Sequence, residues 1–85
     1  MFKTSIFNLK TTLPIFQELV SGVVLPGEEG ELSILDFHQT IVVCLKKGII
    51  KINKIRSIAI NRGIAKMENN QLTILVEKQS GNIFL

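Results

Sequence analysis

The 85-residue sequence predicts an all-β protein of many short strands, arranged as a sandwich or barrel, and three observations carry that reading. Ile, Val and Thr supply 24 residues against two Ala; β-branched side chains lose χ1 freedom in a helix and pack well on a pleated surface. Apolar residues recur with a period of two, as in strands that bury one face. Gly, Pro and Asn punctuate the chain between these runs at the short spacing of sandwiches and barrels. No window presents a helical stripe, and the chain has neither an internal repeat nor a low-complexity tract.

In chain order, strands are expected near Phe2–Lys10, Phe16–Leu25, Glu31–Leu35, Thr40–Leu45, Gly48–Asn53, Arg56–Asn61, Ile64–Glu68 and Gln71–Glu77. Pro26-Gly27 and Gly30 mark a turn-rich loop, Lys46-Lys47-Gly48 a second turn, and Asn53 to Arg56 a third. Ile41–Leu45 is apolar on both faces, which suits a strand covered on both sides or one that meets a partner. Ile50 and Ile52 alternate with Lys51 and Asn53, and Ile58 and Ile60 with Ser57, Ala59 and Asn61. Asn69-Asn70 suits a tight hairpin because Asn tolerates positive φ. In the last strand Leu72, Ile74 and Val76 alternate with Gln71, Thr73, Leu75 and Glu77, and only Leu75 breaks the polar side.

A chain this short makes one domain and buries roughly 60% of the surface its unfolded form exposes. With 46% hydrophobic and 20% charged residues it is too apolar for disorder. No secretory signal opens it, and its longest apolar run, Ile41–Leu45, falls far short of the roughly 20 residues that span a bilayer. The net charge of +3 comes from dispersed residues, eight of them Lys, which serves solubility better than nucleic-acid reading. A lone Cys permits no intrachain disulfide and no cysteine-based zinc site.

Catalytic chemistry finds little to work with. One His and one Cys, with no Tyr or Trp, leave His38 best read as a structural or interface residue and Cys44 as a small core residue. Glu28, Glu29 and Glu31 form the densest charge cluster; a solvated acidic loop, or one that docks on a basic or polar surface, suits them better than a metal cage. Gly27 and Gly30 are followed by no Lys-Ser/Thr pair, so they make no phosphate loop. The five Phe are dispersed and read mostly as core, which offers no stacking platform for single strands. No cofactor and no metal are expected.

The segment Phe16–Leu35, above all Pro26-Gly27-Glu28-Glu29-Gly30-Glu31-Leu32-Ser33-Ile34-Leu35, resembles the epsilon subunit of bacterial-type ATP synthases. That family carries a strand ending in an apolar-Pro-Gly pair, then Gly-Glu and a short apolar strand. It continues with a His and an apolar strand closed by Gly, matched here by His38, Ile41–Leu45 and Gly48. Asn61-Arg62-Gly63-Ile64 resembles its Gly-Gly-Phe turn, and Leu72–Val76 its final sandwich strand. Ser33, Asp36, Thr40 and Arg62 stand where the family has Gly or Pro, which points to altered loops near His38.

The resemblance implies a two-sheet β-sandwich of about eight to ten short strands over residues 1–78, with 79–85 as a short tail. Eight residues, Lys78–Leu85, are too few for the family's C-terminal helical hairpin, so nucleotide-dependent inhibition of ATP hydrolysis is not expected. The implied role is a non-catalytic central-stalk subunit linking the gamma subunit to the membrane c-ring. It would act at the cytoplasmic face of the bacterial inner membrane, which it reaches only through the ring. Residues matching the family's ring contact are Glu28, Glu29, Gly30, Glu31 and Leu32; those matching its gamma contact are Lys10, His38 and Val43. The rival readings are a small β-barrel that binds nucleic acid and an enzyme built on His38 with the Glu cluster.

Overall fold

The computed structural model describes residues 1–11, 13–37 and 39–79, and all its regular structure is β. The strands are β1 (Phe2–Asn8), β2 (Pro14–Val20), β3 (Gly22–Gly27), β4 (Gly30–Leu35), β5 (Ile41–Leu45), β6 (Gly48–Ile52), β7 (Arg56–Glu68) and β8 (Gln71–Lys78). They form one hydrogen-bonded sheet in the order β2-β1-β8-β7-β5-β3-β4, with β6 joining β3 to β7.

That sheet folds over into two layers because β7 serves both. Its second half pairs with β8 and β5, Gly63 lying between Val76 and Leu45. Its first half pairs with β6, from Ile60–Gly48 to Arg56–Ile52. One layer is therefore β2-β1-β8-β7-β5, with β1 and β8 parallel, and the other is β4-β3-β6-β7. Their inner faces meet in a single cluster that includes Phe2, Ile6, Leu25, Ile34, Ile50 and Ile74. Alternate residues of a strand point to opposite faces, so Leu72, Ile74 and Val76 are buried while Gln71 and Thr73 are exposed.

Local chemistry sets the reversals. Asn69 and Asn70 have φ of 53° and 58°, the geometry of a two-residue hairpin with positive φ at both central positions, and Glu68 pairs with Gln71 across it. Asn53 fastens the β6–β7 turn to the start of β3. Its Oδ1 accepts the Ser21 N–H at 2.8 Å, the Ser21 hydroxyl at 3.0 Å and the Gly22 N–H at 3.3 Å, and its own N–H donates to the Gly22 carbonyl at 2.9 Å.

Several expectations are corrected. The single strand expected over Phe16–Leu25 is two, because the chain leaves the first layer after Val20 and enters the second at Gly22. Pro26-Gly27 is no turn but the buried end of β3. Asn61-Arg62-Gly63-Ile64 is no turn either: it lies within the continuous β7, beside a register shift between Ile60 and Arg62. A Cβ on Gly63 would stand 2.5 Å from the Leu75 carbonyl oxygen, so glycine is required there by close approach and not by chain reversal. Cys44 is exposed, not core, because Ile41, Val43 and Leu45 take the inward positions of β5 and leave Val42 and Cys44 outside. Of the Phe residues, Phe2 and Phe16 are buried, Phe7 is half-buried and Phe37 is 83% exposed; Phe84 lies outside the described residues.

Candidate functional site

The acidic cluster sits at the tip of the β3–β4 hairpin. Gly27 pairs with Gly30, leaving Glu28 and Glu29 as the turn. Gly30 has φ of +128°, a conformation open to glycine and strained for other residues. Two bonds tie this tip to β5: the Glu28 N–H donates to the Cys44 carbonyl at 3.0 Å, and the Lys46 N–H to the Pro26 carbonyl at 2.9 Å. Pro26 thus points its carbonyl toward β5, and its lack of an N–H removes no bond to β4.

Between the tip and β5 lies an open groove of about 490 Å³, lined by Gly27–Leu32 and Ile41–Cys44. Its floor is apolar, since Leu32, Ile41 and Val43 are half-buried and pack on the core. Its rim is acidic, since Glu28, Glu29 and Glu31 are exposed. Glu31 faces Lys51 at 3.8 Å, a solvated pair that contributes little. Glu28, Glu29, Gly30, Glu31, Leu32 and Val43, expected to serve two different contacts, therefore border one groove.

Lys10 stands apart at the same end of the molecule. Asn8 lies beside Val76, Val76 beside Gly63, Gly63 beside Leu45 and Leu45 beside Gly27. Four strand spacings of about 4.8 Å put the β1 terminus ~19 Å across the sheet from the acidic tip. The turn that carries Lys10 is fixed by Asn8, whose Oδ1 accepts the Lys10 N–H at 2.8 Å. His38 lies outside the described residues.

Two features escape sequence reasoning. On the outer face of the five-stranded layer, Pro14, Phe7, Leu75, Ile64 and Cys44 are consecutive cross-strand neighbours and form an apolar row, with exposed Val42 beside it. The out-of-phase Leu75 is its one sequence signal. At the opposite end, the Met1 ammonium pairs with Asp36. Asn70 Nδ2 reaches Asp36 Oδ1 at 3.4 Å and the Met1 carbonyl at 3.3 Å, and Asn70 Oδ1 accepts the Phe37 N–H at 2.8 Å. The hydrogen bond from the ammonium holds the Asp36 carboxyl below its ordinary range, against desolvation and with help from Asn70.

Known proteins share this architecture. A profile described as "ATP synthase, Delta/Epsilon chain, beta-sandwich domain" matches residues 9–80. The chain is 45% identical over 67 residues to an ATP synthase epsilon chain of a Nitratiruptor species, covering 74% of this chain and 52% of that one. It is 40% identical over 76 residues to one of Campylobacter jejuni (serotype O:6), covering 84% and 59%. It thus spans little more than half the length of these relatives. Among solved structures, a chain of the Tetrahymena thermophila mitochondrial ATP synthase central stalk/c-ring assembly superposes with a TM-score of 0.74 at 14% identity, covering 89% of this chain and 63% of that one. One from the Euglena gracilis mitochondrial ATP synthase does so with 0.74 at 22% identity, covering 86% and 48%. At these identities the two superpositions show the fold.

Proposed function

The chain belongs to the ATP synthase delta/epsilon family through its β-sandwich domain, and on that footing we propose that it is a non-catalytic central-stalk (epsilon) subunit. In this reading it links the gamma subunit to the membrane c-ring and helps couple ion translocation to ATP synthesis. It works as a peripheral protein at the cytoplasmic face of the bacterial inner membrane. Among the described residues no helix is long and apolar enough to cross a membrane, so the ring provides the attachment.

The observation that carries this reading is the acidic β3–β4 tip, bonded to β5 at one end of a two-layer sandwich. Glu28, Glu29, Gly30, Glu31 and Leu32 form the ring contact. One exposed ion pair contributes only about 0.2–1 kcal/mol, so the carboxylates act together, with Leu32 adding apolar contact. Lys10, His38 and Val43 form the gamma contact. The protein's own contribution is stiffness: a close-packed interior resists compression, so a torque received at the tip reaches the gamma contact with little loss to deformation.

Co-purification from native membranes tests the reading. The wild-type chain is expected to bring down both gamma and the ring, and Glu31→Lys to recover less ring while keeping its fold. Ring recovery unchanged by Glu31→Lys overturns the ring contact, and a wild-type chain that brings down neither partner overturns the reading itself.

A further inference from the structure

The groove beside the acidic tip ends in an unfinished sheet edge. β5 pairs along its length with β7 but meets β3 only where Leu45 faces Gly27. The Cys44 carbonyl and the Lys46 N–H point toward β3, where they bond Glu28 and Pro26. Backbone polar groups of residues two apart in a strand point the same way, so the N–H and C=O of Val42 face the groove as well. The ladder stops short of them because the chain reverses at Glu28-Glu29. Among the described residues no strand pairs with that side of Val42.

We propose that this edge takes up an extended segment of a partner protein, with alternating basic and apolar residues, as an added strand beside β5. Three features of the groove select that occupant. The Val42 N–H and C=O supply the main-chain bonds of strand addition. Half-buried Leu32, Ile41 and Val43 make an apolar floor that receives every second side chain. The exposed carboxylates of Glu28, Glu29 and Glu31 line the rim, where the intervening basic side chains emerge. Of the other exposed edges, β2 lies outside this groove, and β4 borders it only through its first residues, Gly30, Glu31 and Leu32. The inference rests on the stalk reading and deepens it by stating how a stalk partner engages the tip.

The test uses the purified chain and a capped six-residue peptide of alternating Lys and Val. Two control peptides accompany it: one N-methylated at alternate amides and one with Glu in place of Lys. Amide exchange and chemical shifts of Val42 and Cys44 are followed by NMR. The Lys–Val peptide is expected to slow exchange at Val42, and both controls to bind at least tenfold more weakly. Replacing Glu28, Glu29 and Glu31 together by Gln weakens it about tenfold, the summed effect of exposed charge pairs, and flattens its salt dependence. Val42→Pro removes the donor at an edge position that tolerates proline and abolishes binding.

Equal binding of the N-methylated peptide, protection along β2 or β4 instead, or no binding of the Lys–Val peptide overturns the proposal. The same Val42→Pro chain is taken through membrane co-purification beside wild type. Recovery of gamma and ring by the Val42→Pro chain at the wild-type level, without peptide binding, removes the groove and leaves the stalk reading standing; peptide binding by a wild-type chain that recovers neither partner does the reverse.

Discussion

Thr4 is fully buried, and among the described residues its Oγ1 meets no hydrogen-bond partner. A buried hydroxyl left without a partner costs about 1–3 kcal/mol, and Val has nearly the same shape. Thr4→Val is therefore expected to stabilise the protein by about 1 kcal/mol, seen as a melting temperature higher by about 4–8 °C; no rise would mean that the hydroxyl is satisfied in solution. Asp36 acts in the opposite sense. Its folded carboxyl titrates below the ordinary value of 3.8, so its stabilising contribution is complete above that value. The contribution is lost as pH falls through the depressed folded value. Asp36→Asn is expected to be less stable than wild type at neutral pH and to close the gap as pH drops below 3.8. Urea midpoints over a pH series report it, and a gap that stays constant refutes it.

Among the elements, β7 explains most of what the sequence conceals. Its 13 residues read in sequence as two strands and a turn because Asn61 and Gly63 look like punctuation, whereas Gly63 answers a neighbouring strand that local pattern cannot show. Gly63→Ala forces its Cβ against the Leu75 carbonyl, and overpacking of this kind costs about 1–3 kcal/mol. Gly22→Ala, whose Cβ would meet the Leu35 side chain at 3.4 Å and the Ile34 carbonyl oxygen at 3.8 Å, both ordinary contacts, is expected to cost less; denaturant midpoints of the two variants measure the difference. The alternation of β8 and the Asn69-Asn70 hairpin are legible because both depend on adjacent residues alone. The break at Ser21 is hidden because the apolar pattern continues across it while the chain changes layers. For the site, Glu28, Glu29 and Glu31 stand out as a cluster. Val43's place beside them rests on the Gly27–Leu45 pairing, a contact between residues far apart in the chain. Cys44 misleads for a related reason: an apolar residue on an outer sheet face reads like a core residue.

At the scale of the whole molecule, the net charge of +3 coexists with a concentrated acidic tip, so the distribution of charge directs the protein more than its sum. Glu31 is exposed and, among the described residues, its carboxylate pairs with Lys51 alone, and surface substitutions of this kind usually change stability by no more than about 0.5 kcal/mol. A loss of ring recovery in Glu31→Lys, with the melting temperature unchanged, therefore reads as a lost contact and not as a lost fold. The first and last strands add a consequence of their own. β1 and β8 run side by side in parallel, from Lys3–Gln71 to Asn8–Val76. Tension drawn between the start of the former and the finish of the latter slides one along the other. Their cross-links are then strained all at once, whereas an antiparallel pair gripped at one end gives way rung by rung. Under the proposed stalk role, the molecule is thereby closed along a seam suited to withstand being pulled apart.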